Sequence, residues 1–231
     1  MANRIISGIF QSPFGYRYIR GLFHFGVRRA PIRNALELRD GDRVLDVGCG
    51  TGDYSVIVHS PRYSYQGIDM CEEYILRARA DHGAPFRTFE VMNVVTMDFA
   101  PRSFDKALFL GVMHHLTDDE NLEVLRRINS LVKNRLVIMD LSPGGRHFVN
   151  NILCRHDRGE YPRTLEEQCR LVNRVMKITY AGNYFVRSGI QRYSLMVASP
   201  LNQGVDSATT KSETPNGKET YRVSTASVAK V

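Results

Sequence analysis

Between Arg43 and Gly52 the chain reads Arg43-Val44-Leu45-Asp46-Val47-Gly48-Cys49-Gly50-Thr51-Gly52: an apolar run of strand length meets three glycines at alternate positions and a new helical segment is expected to follow. Glycine lets a backbone bend sharply and lets a ligand approach it with no Cβ in the way, and N–H groups at a helix start favour polar or anionic partners. The pattern therefore predicts a strand-to-turn-to-helix binding site of the nucleotide type. Its spacing, G-x-G-x-G, also excludes something. Dinucleotide oxidoreductases place the third glycine one residue later, so that a helix N-terminus meets a pyrophosphate. Asp46 lies directly beneath the turn, where a carboxylate would repel a pyrophosphate but suits a ligand that carries an ammonium group.

A glycine-rich turn gains meaning when an acidic residue ends the next strand, about 20 residues on. Ser64-Tyr65-Gln66-Gly67-Ile68-Asp69-Met70 reads as that strand, and a carboxylate at Asp69 can accept both hydroxyls of a ribose. A third strand at Phe86–Val91 leads to Asn93-Val94, with Asp98 competing as the polar element of the same loop. A fourth, Asp105–Leu110, leads to Gly111-Val112-Met113-His114-His115-Leu116. In this order and at these intervals the segments resemble the motifs of class I S-adenosylmethionine methyltransferases.

The resemblance implies an α/β fold, a seven-stranded, doubly wound, mostly parallel sheet closed by a C-terminal antiparallel hairpin strand, with S-adenosyl-L-methionine as cofactor. In the glycine turn it implies cofactor contacts from Asp46, Gly48, Cys49, Gly50, Thr51 and Gly52. Beyond the turn it implies Asp69 and Met70 at the ribose, Asn93 and Val94 at the adenine, and Leu110 at the end of the fourth strand. His115 fills the His slot of the family's His-Leu ending and is the first candidate for a general base, with His114 second; an imidazole titrating near 6.5 suits that role at neutral pH. Either histidine also has the simpler option of packing against the cofactor. No metal site is expected.

The remaining sequence fits around this core. Thr117-Asp118-Asp119-Glu120 is a capping box, and Leu122, Leu125, Ile128 and Leu131 continue it as an amphipathic helix; Thr164-Leu165-Glu166-Glu167 repeats the device. Between them Leu136–Leu141 is an apolar strand, followed by an irregular insertion over 142–163, in which Arg158, Tyr161 and Arg163 either line an acceptor pocket or make surface ion pairs. Strands near Lys177–Phe185 and Gln191–Ala198 suit a hairpin around Gly189. Residues 1–40 form an expected helical cap, 41–199 the cofactor-binding domain, and 200–231, rich in Ser, Thr, Lys and Gly, an expected disordered tail.

Charge enters the argument at the N-terminus. The net charge is +7, and Arg4, Arg17, Arg20, Arg28, Arg29 and Arg33 all precede the first acidic residue, Glu37. Such a basic, aromatic arm suits a lid over the site, transient contact with a membrane surface or an anionic substrate, or a mitochondrial targeting segment. The four cysteines show no metal or disulfide spacing, and a cytoplasmic protein with reduced thiols is expected. The expected activity is methyl transfer to a small-molecule acceptor, with oxygen or carbon favoured as the methylated atom. A cofactor-binding protein that acts by interaction without catalysis is the alternative. Nucleic acid as acceptor is disfavoured, because Gly111-Val112-Met113-His114 replaces the Asn/Asp-Pro-Pro-aromatic motif of amino-methylating enzymes. The sequence carries no signal for oligomeric state.

Overall fold

The computed structural model describes residues 29–144, 159–185 and 192–201. Helix α1 (Arg29–Leu36) precedes strand β1 (Arg43–Val47) and strand β2 (Ser64–Asp69), followed by α2 (Glu72–His82), β3 (Arg87–Val91) and β4 (Phe104–Leu110). Helix α3 (Asp118–Leu131) leads to β5 (Val132–Leu141), then α4 (Leu165–Asn173), β6 (Met176–Phe185) and β7 (Arg192–Pro200). The seven strands form one sheet in the order β3-β2-β1-β4-β5-β7-β6. All pairings from β3 to β5 are parallel, whereas β7 runs antiparallel to both β5 and β6. This is the predicted α/β arrangement, including the closing hairpin.

Alternation within the strands explains why both faces are covered. Val44, Leu108, Leu110, Val137 and Met139 face one apolar cluster, which also holds Ile32 and Leu36 of α1 and Ile75 and Ala78 of α2. Leu45, Val47, Ala107, Phe109, Leu136 and Ile138 face the other, shared with Leu122, Leu125 and Ile128 of α3 and Leu165 and Val172 of α4. A strand buried on both faces reads as an uninterrupted apolar run, as Leu136–Met139 does. Both predicted capping boxes are present: Thr117 and Thr164 each accept the backbone N–H three residues on, and Glu120 and Glu167 reach back to them.

Two expectations change. The glycine turn is followed only by a single 3₁₀ turn at Ser55–Ile57, not by an α-helix. The β-branched run Val56-Ile57-Val58 propagates a helix poorly, and Pro61 is close behind it. No helix N-terminus therefore stands over the glycines. In addition, β5 starts at Val132, immediately after α3, and not at Leu136. Val132 is buried, but Lys133 and Asn134 are exposed, Arg135 is half-buried, and the pairing with β4 is irregular there, so these residues carry no apolar run to read.

The predicted cap falls within the described residues only from Arg29, and the predicted tail beyond residue 201 lies outside them, as do residues 145–158 of the insertion. What anchors α1 is a buried cation. Lys106 of β4, only 4% exposed, donates its Nζ to the carbonyls of Leu36 (2.9 Å) and Glu37 at the end of α1, and pairs with Asp42 at 3.1 Å. Cations suit a helix C-terminus because its last carbonyls lack intrahelical donors. Replacing Lys106 by Met should leave Asp42 and two carbonyls without their cation and lower stability by about 3 kcal/mol, the usual cost of breaking a buried pair from one side. Urea denaturation of Lys106→Met measures the loss; a change within about 0.5 kcal/mol, the scatter of surface substitutions, would show that water replaces the amine.

Candidate active site at the carboxyl ends of the strands

The turn after β1 is pinned to β2 by its own backbone. Gly48 and Cys49 both donate N–H to the Ile68 carbonyl, at 2.8 and 2.9 Å, and Gly52 donates to Cys49 at 3.0 Å. All three glycines have positive φ, +77° at Gly48, +54° at Gly50 and +78° at Gly52, but their surroundings differ. A Cβ on Gly48 would stand 2.5 Å from Val112 Cγ2, and one on Gly52 would stand 2.8 Å from the Phe89 ring. These two positions are needed for packing between neighbouring turns and strands. A Cβ on Gly50 meets nothing within 4 Å, and the same is true of Gly111 after β4, at φ +68°. Open space over two left-handed glycine turns at adjacent strand ends is where a ligand can lie against bare backbone.

Asp69, half-buried at the end of β2, borders this space. Its two oxygens accept the N–H groups of Gly50 (2.9 Å) and Cys71 (2.9 Å), which fixes the carboxyl while leaving acceptor capacity for a diol. Met70 beside it is 72% exposed, an apolar side chain available for contact with a flat ring. Asn93 is exposed, and its Oδ1 accepts the Val95 N–H at 2.9 Å; Val94 is half-buried against the core. Leu110 is buried at the end of β4. Cys49 sets its Sγ against Gly67 and donates its S–H to the Gly50 carbonyl at 3.6 Å, and Thr51 donates to Asp53 at 3.1 Å.

Asp46 sits differently from the expectation of an open carboxylate beneath a ligand's ammonium group. It is buried, and Tyr65 of β2 donates its hydroxyl to the carboxyl at 2.6 Å. Burial raises its pKa to about 7; the Tyr65 hydrogen bond pulls the other way and the charge of Asp69 adds to the rise. Tyr65 gave no sequence signal for this role, because an aromatic residue in a buried strand reads as core.

The turn after β4 carries the histidines. Gly111 donates its N–H to Met139 at 2.7 Å, and a 3₁₀ turn spans Met113–His115. His114 is buried: its backbone N–H donates to Asp140 at 3.1 Å, and its ring Nδ1 pairs with the other oxygen of that carboxyl. His115 is exposed, and its ring lies on the His114 ring with centroids 4.1 Å apart. From the insertion, Gly159 packs on the His114 ring and Tyr161 donates its N–H to the His114 carbonyl at 3.0 Å. Arg163, expected at an acceptor pocket or in a surface pair, is instead a buried latch. It donates to the carbonyls of Met113, Leu116 and Tyr161 at 2.8–3.0 Å and pairs with Asp118 at 2.7 Å. Asn121 adds bonds to the Met113, Leu116 and Thr117 carbonyls. Arg158 lies outside the described residues. Sequence reasoning passed over Asp140, although a lone carboxylate inside Leu136–Leu141 is the signal that marks it.

This sheet order, with glycine turns after β1 and β4 and a carboxylate after β2, defines a Rossmann-like class I methyltransferase fold. Residues 44–135 match the family model described as a methyltransferase domain. An uncharacterized protein of Methanocaldococcus jannaschii is 35% identical over 100 residues, 42% of this chain and 36% of the relative. The ubiquinone/menaquinone biosynthesis C-methyltransferase of Geobacter sulfurreducens is 28% identical over 142 residues, 57% of this chain and 51% of the relative. The chain thus spans between about a third and a half of these relatives' lengths. Among solved structures, 1,6-didemethyltoxoflavin-N1-methyltransferase of Burkholderia thailandensis superposes with a TM-score of 0.64 at 20% identity, over 85% of this chain and 89% of that one. The sequence match over residues 44–135 and the shared fold support a class I S-adenosylmethionine-dependent methyltransferase.

The residues present fit that family's cofactor. The bare backbone at Gly50 and Gly111, the anchored carboxyl of Asp69 and the exposed Met70 offer a surface of the right chemistry for a nucleoside. Gly50→Ala should cost stability only about 1 kcal/mol, the strain of a left-handed residue, while abolishing measurable S-adenosylmethionine binding, because its Cβ enters the open space. Gly48→Ala should lose both stability and binding, since Val112 must move. Calorimetry and urea denaturation separate the two; unchanged affinity in Gly50→Ala would remove the turn from the cofactor site.

The buried carboxyl of Asp46 gives a second expected outcome. With its pKa raised from 3.8 to about 7, the native protein keeps a proton that the unfolded chain has already released across that interval. Bound protons in excess in the native state make stability fall as pH rises through the window, and level off above it. Asp46→Asn should remove this fall, so the gap between variant and parent should widen by a few kcal/mol, roughly the linkage energy of such a shift, between about pH 4 and pH 7. Parallel stability curves in urea would show that the carboxyl titrates normally.

Proposed function

We propose that the protein transfers the methyl group of S-adenosylmethionine to a hydroxyl or acidic carbon of a small-molecule acceptor, with His114 as general base and Asp140 as the residue that positions it. The observation that carries this reading is the His114–Asp140 pair at the carboxyl ends of β4 and β5, next to the open space over Gly111. When bound, the cofactor supplies an activated methyl group on a sulfonium. The chain supplies orientation and, where the acceptor must lose a proton, a base.

Asp140 accepts a proton-bearing Nδ1 from neutral His114, which leaves the lone pair on Nε2 and fixes the tautomer that can take a proton from an acceptor. Gly159 packs on the ring, and the Arg163 latch holds the turn against the insertion through the Met113 and Leu116 carbonyls. His115 stacks on this ring from the exposed side, and serves as a neighbour that the acceptor meets first. An O-methyltransferase of Aspergillus sclerotiorum, 31% identical over 108 residues, and the Geobacter C-methyltransferase support oxygen or carbon as the accepting atom. The basic arm of residues 1–28, outside the described residues, is the segment proposed to meet an anionic or membrane-associated acceptor. Among the described residues no helix is long and apolar enough to cross a membrane. Cys49, Cys71 and Cys169 are free thiols, which supports a reducing, cytoplasmic setting.

In an assay of S-adenosylhomocysteine release against phenol, quinol and β-dicarbonyl acceptors, His114→Ala should lower kcat by about 10²–10⁴ with the Kd for S-adenosylmethionine held within about twofold. Asp140→Asn should lower kcat strongly too, by disturbing the tautomer. His115→Ala should cost about tenfold or less, as a contact and not a proton acceptor. Full turnover in His114→Ala with a large loss in His115→Ala would transfer the base to the exposed ring.

A further inference from the structure

Behind the Arg163 latch lies a second concavity of about 510 Å³, well inside the size range of small-molecule sites. Tyr161, Pro162 and Leu171 give it an apolar side. Five charged residues complete it, and their bonding is unequal. Asp118 is paired with Arg163, and the Glu167 carboxylate accepts the Thr164 N–H and hydroxyl at 2.8 and 3.0 Å. Those Thr164 bonds, with smaller contributions from Arg170 and Arg163, hold Glu167 below the usual carboxylate range. Both acids of the cavity are therefore engaged.

Arg170 acts on Glu167 only as a minor charge. Arg170 near the end of α4 and Arg174, the residue that caps it, lie four residues apart, both exposed, and no ion pair within salt-bridge distance of either guanidinium is found among the described residues. Other surface arginines of this chain do have carboxylate partners, among them Arg77 with Asp81, Arg127 with Glu123 and Arg135 with Glu37. Tyr161, 40% exposed, holds its ring 5.8 Å from the Arg163 guanidinium, which fixes an aromatic wall in the cleft that Arg170 and Arg174 also line. Two guanidiniums at this spacing match the oxygens of a phosphate or carboxylate, and the apolar side accommodates the body that carries it.

We propose that this cleft binds a small molecule bearing a phosphate or carboxylate group, held by Arg170 and Arg174 with its apolar part against Tyr161 and Leu171. The site is separate from the glycine turns, and stands whether or not the methyl-transfer reading holds. Its loop is shared with the histidine turn, however: Tyr161 lines the cleft with its ring and bonds the His114 carbonyl with its backbone.

Calorimetric titration of the full chain at low salt with inorganic pyrophosphate and with citrate tests this without any cofactor. The parent should bind at least one probe saturably at one site, and the preferred probe identifies the anion class. Arg170→Gln combined with Arg174→Gln should weaken that binding by about tenfold or more, since each charge-assisted bond is worth at least that factor. Arg77→Gln combined with Arg126→Gln, which removes the same charge elsewhere, should leave it unchanged. No saturable binding of either probe, equal weakening in both double variants, an unaltered affinity in the first, or saturable binding of an RNA oligonucleotide alone would each overturn the proposal. Both arginines are exposed, so the first double variant should keep the parent's melting midpoint.

Discussion

The carboxyl group of Asp140 organises the working end of this fold. Buried at the end of β5 among Leu, Val, Ile and Met, it has to find donors or be strongly disfavoured there. It takes the backbone N–H of His114, the ring of the same residue and the N–H of Leu141 at 2.6 Å. The turn after β4 is thereby tied to the neighbouring strand. Ser194 and Gln168 extend the network, Ser194 to the Asp140 carbonyl and to Gln168 at 2.5 Å, Gln168 to the carbonyls of Leu141 and Arg163. Arg163 and Asn121 then collect the remaining carbonyls of the turn. The donors of this cluster all find acceptors within it, although the buried Asn121 Oδ1 accepts nothing among the described residues, and the network holds the His114 ring in one place.

Much of the fold was legible because local signals agreed with one another. Short apolar runs ending in glycine or acid located β1, β2 and β4, and the two Thr-x-x-Glu boxes located α3 and α4. The hairpin followed from two apolar segments around Gly189. Where a boundary failed, local chemistry was silent: polar Lys133, Asn134 and Arg135 near the start of β5 leave no apolar pattern, and the missing helix after Gly52 turns on a β-branched run that the glycine motif obscures. The glycines were legible as a group but not individually. Only the folded neighbours show that Gly48 makes room for Val112 and Gly52 for Phe89, while Gly50 faces open space.

The site was legible to the extent that its residues end strands. Asp69, His114 and His115 fall at the carboxyl edge because a parallel sheet delivers every strand end there, and sequence order alone reveals which ends they are. Contacts made across the sheet are different in kind. Tyr65 to Asp46, Asp140 to His114 and Arg163 to Met113 join residues 19, 26 and 50 positions apart, each fixed by register and not by any local pattern. Arg163 shows the consequence. A basic residue in a polar insertion reads as a surface or substrate-facing group, yet three backbone carbonyls and one carboxylate consume its donors before any ligand can.

Three carboxyl groups near the ends of β1, β2 and β5 show how the surroundings divide similar chemistry into separate tasks. Asp46 has one hydroxyl as partner in an apolar layer, so burial dominates and its proton is retained up to about pH 7. It is a structural group that ties β1 to β2. Asp69 sits at the surface of the turn, held by two backbone N–H groups that leave its outer side available, which is the disposition a ribose needs. Asp140 is as deeply buried as Asp46 but meets an imidazole, and so becomes the group that orients a ring. The sheet supplies the position in each case; the number and type of donors that reach it decide whether the carboxyl supports the core, borders open space or holds an imidazole.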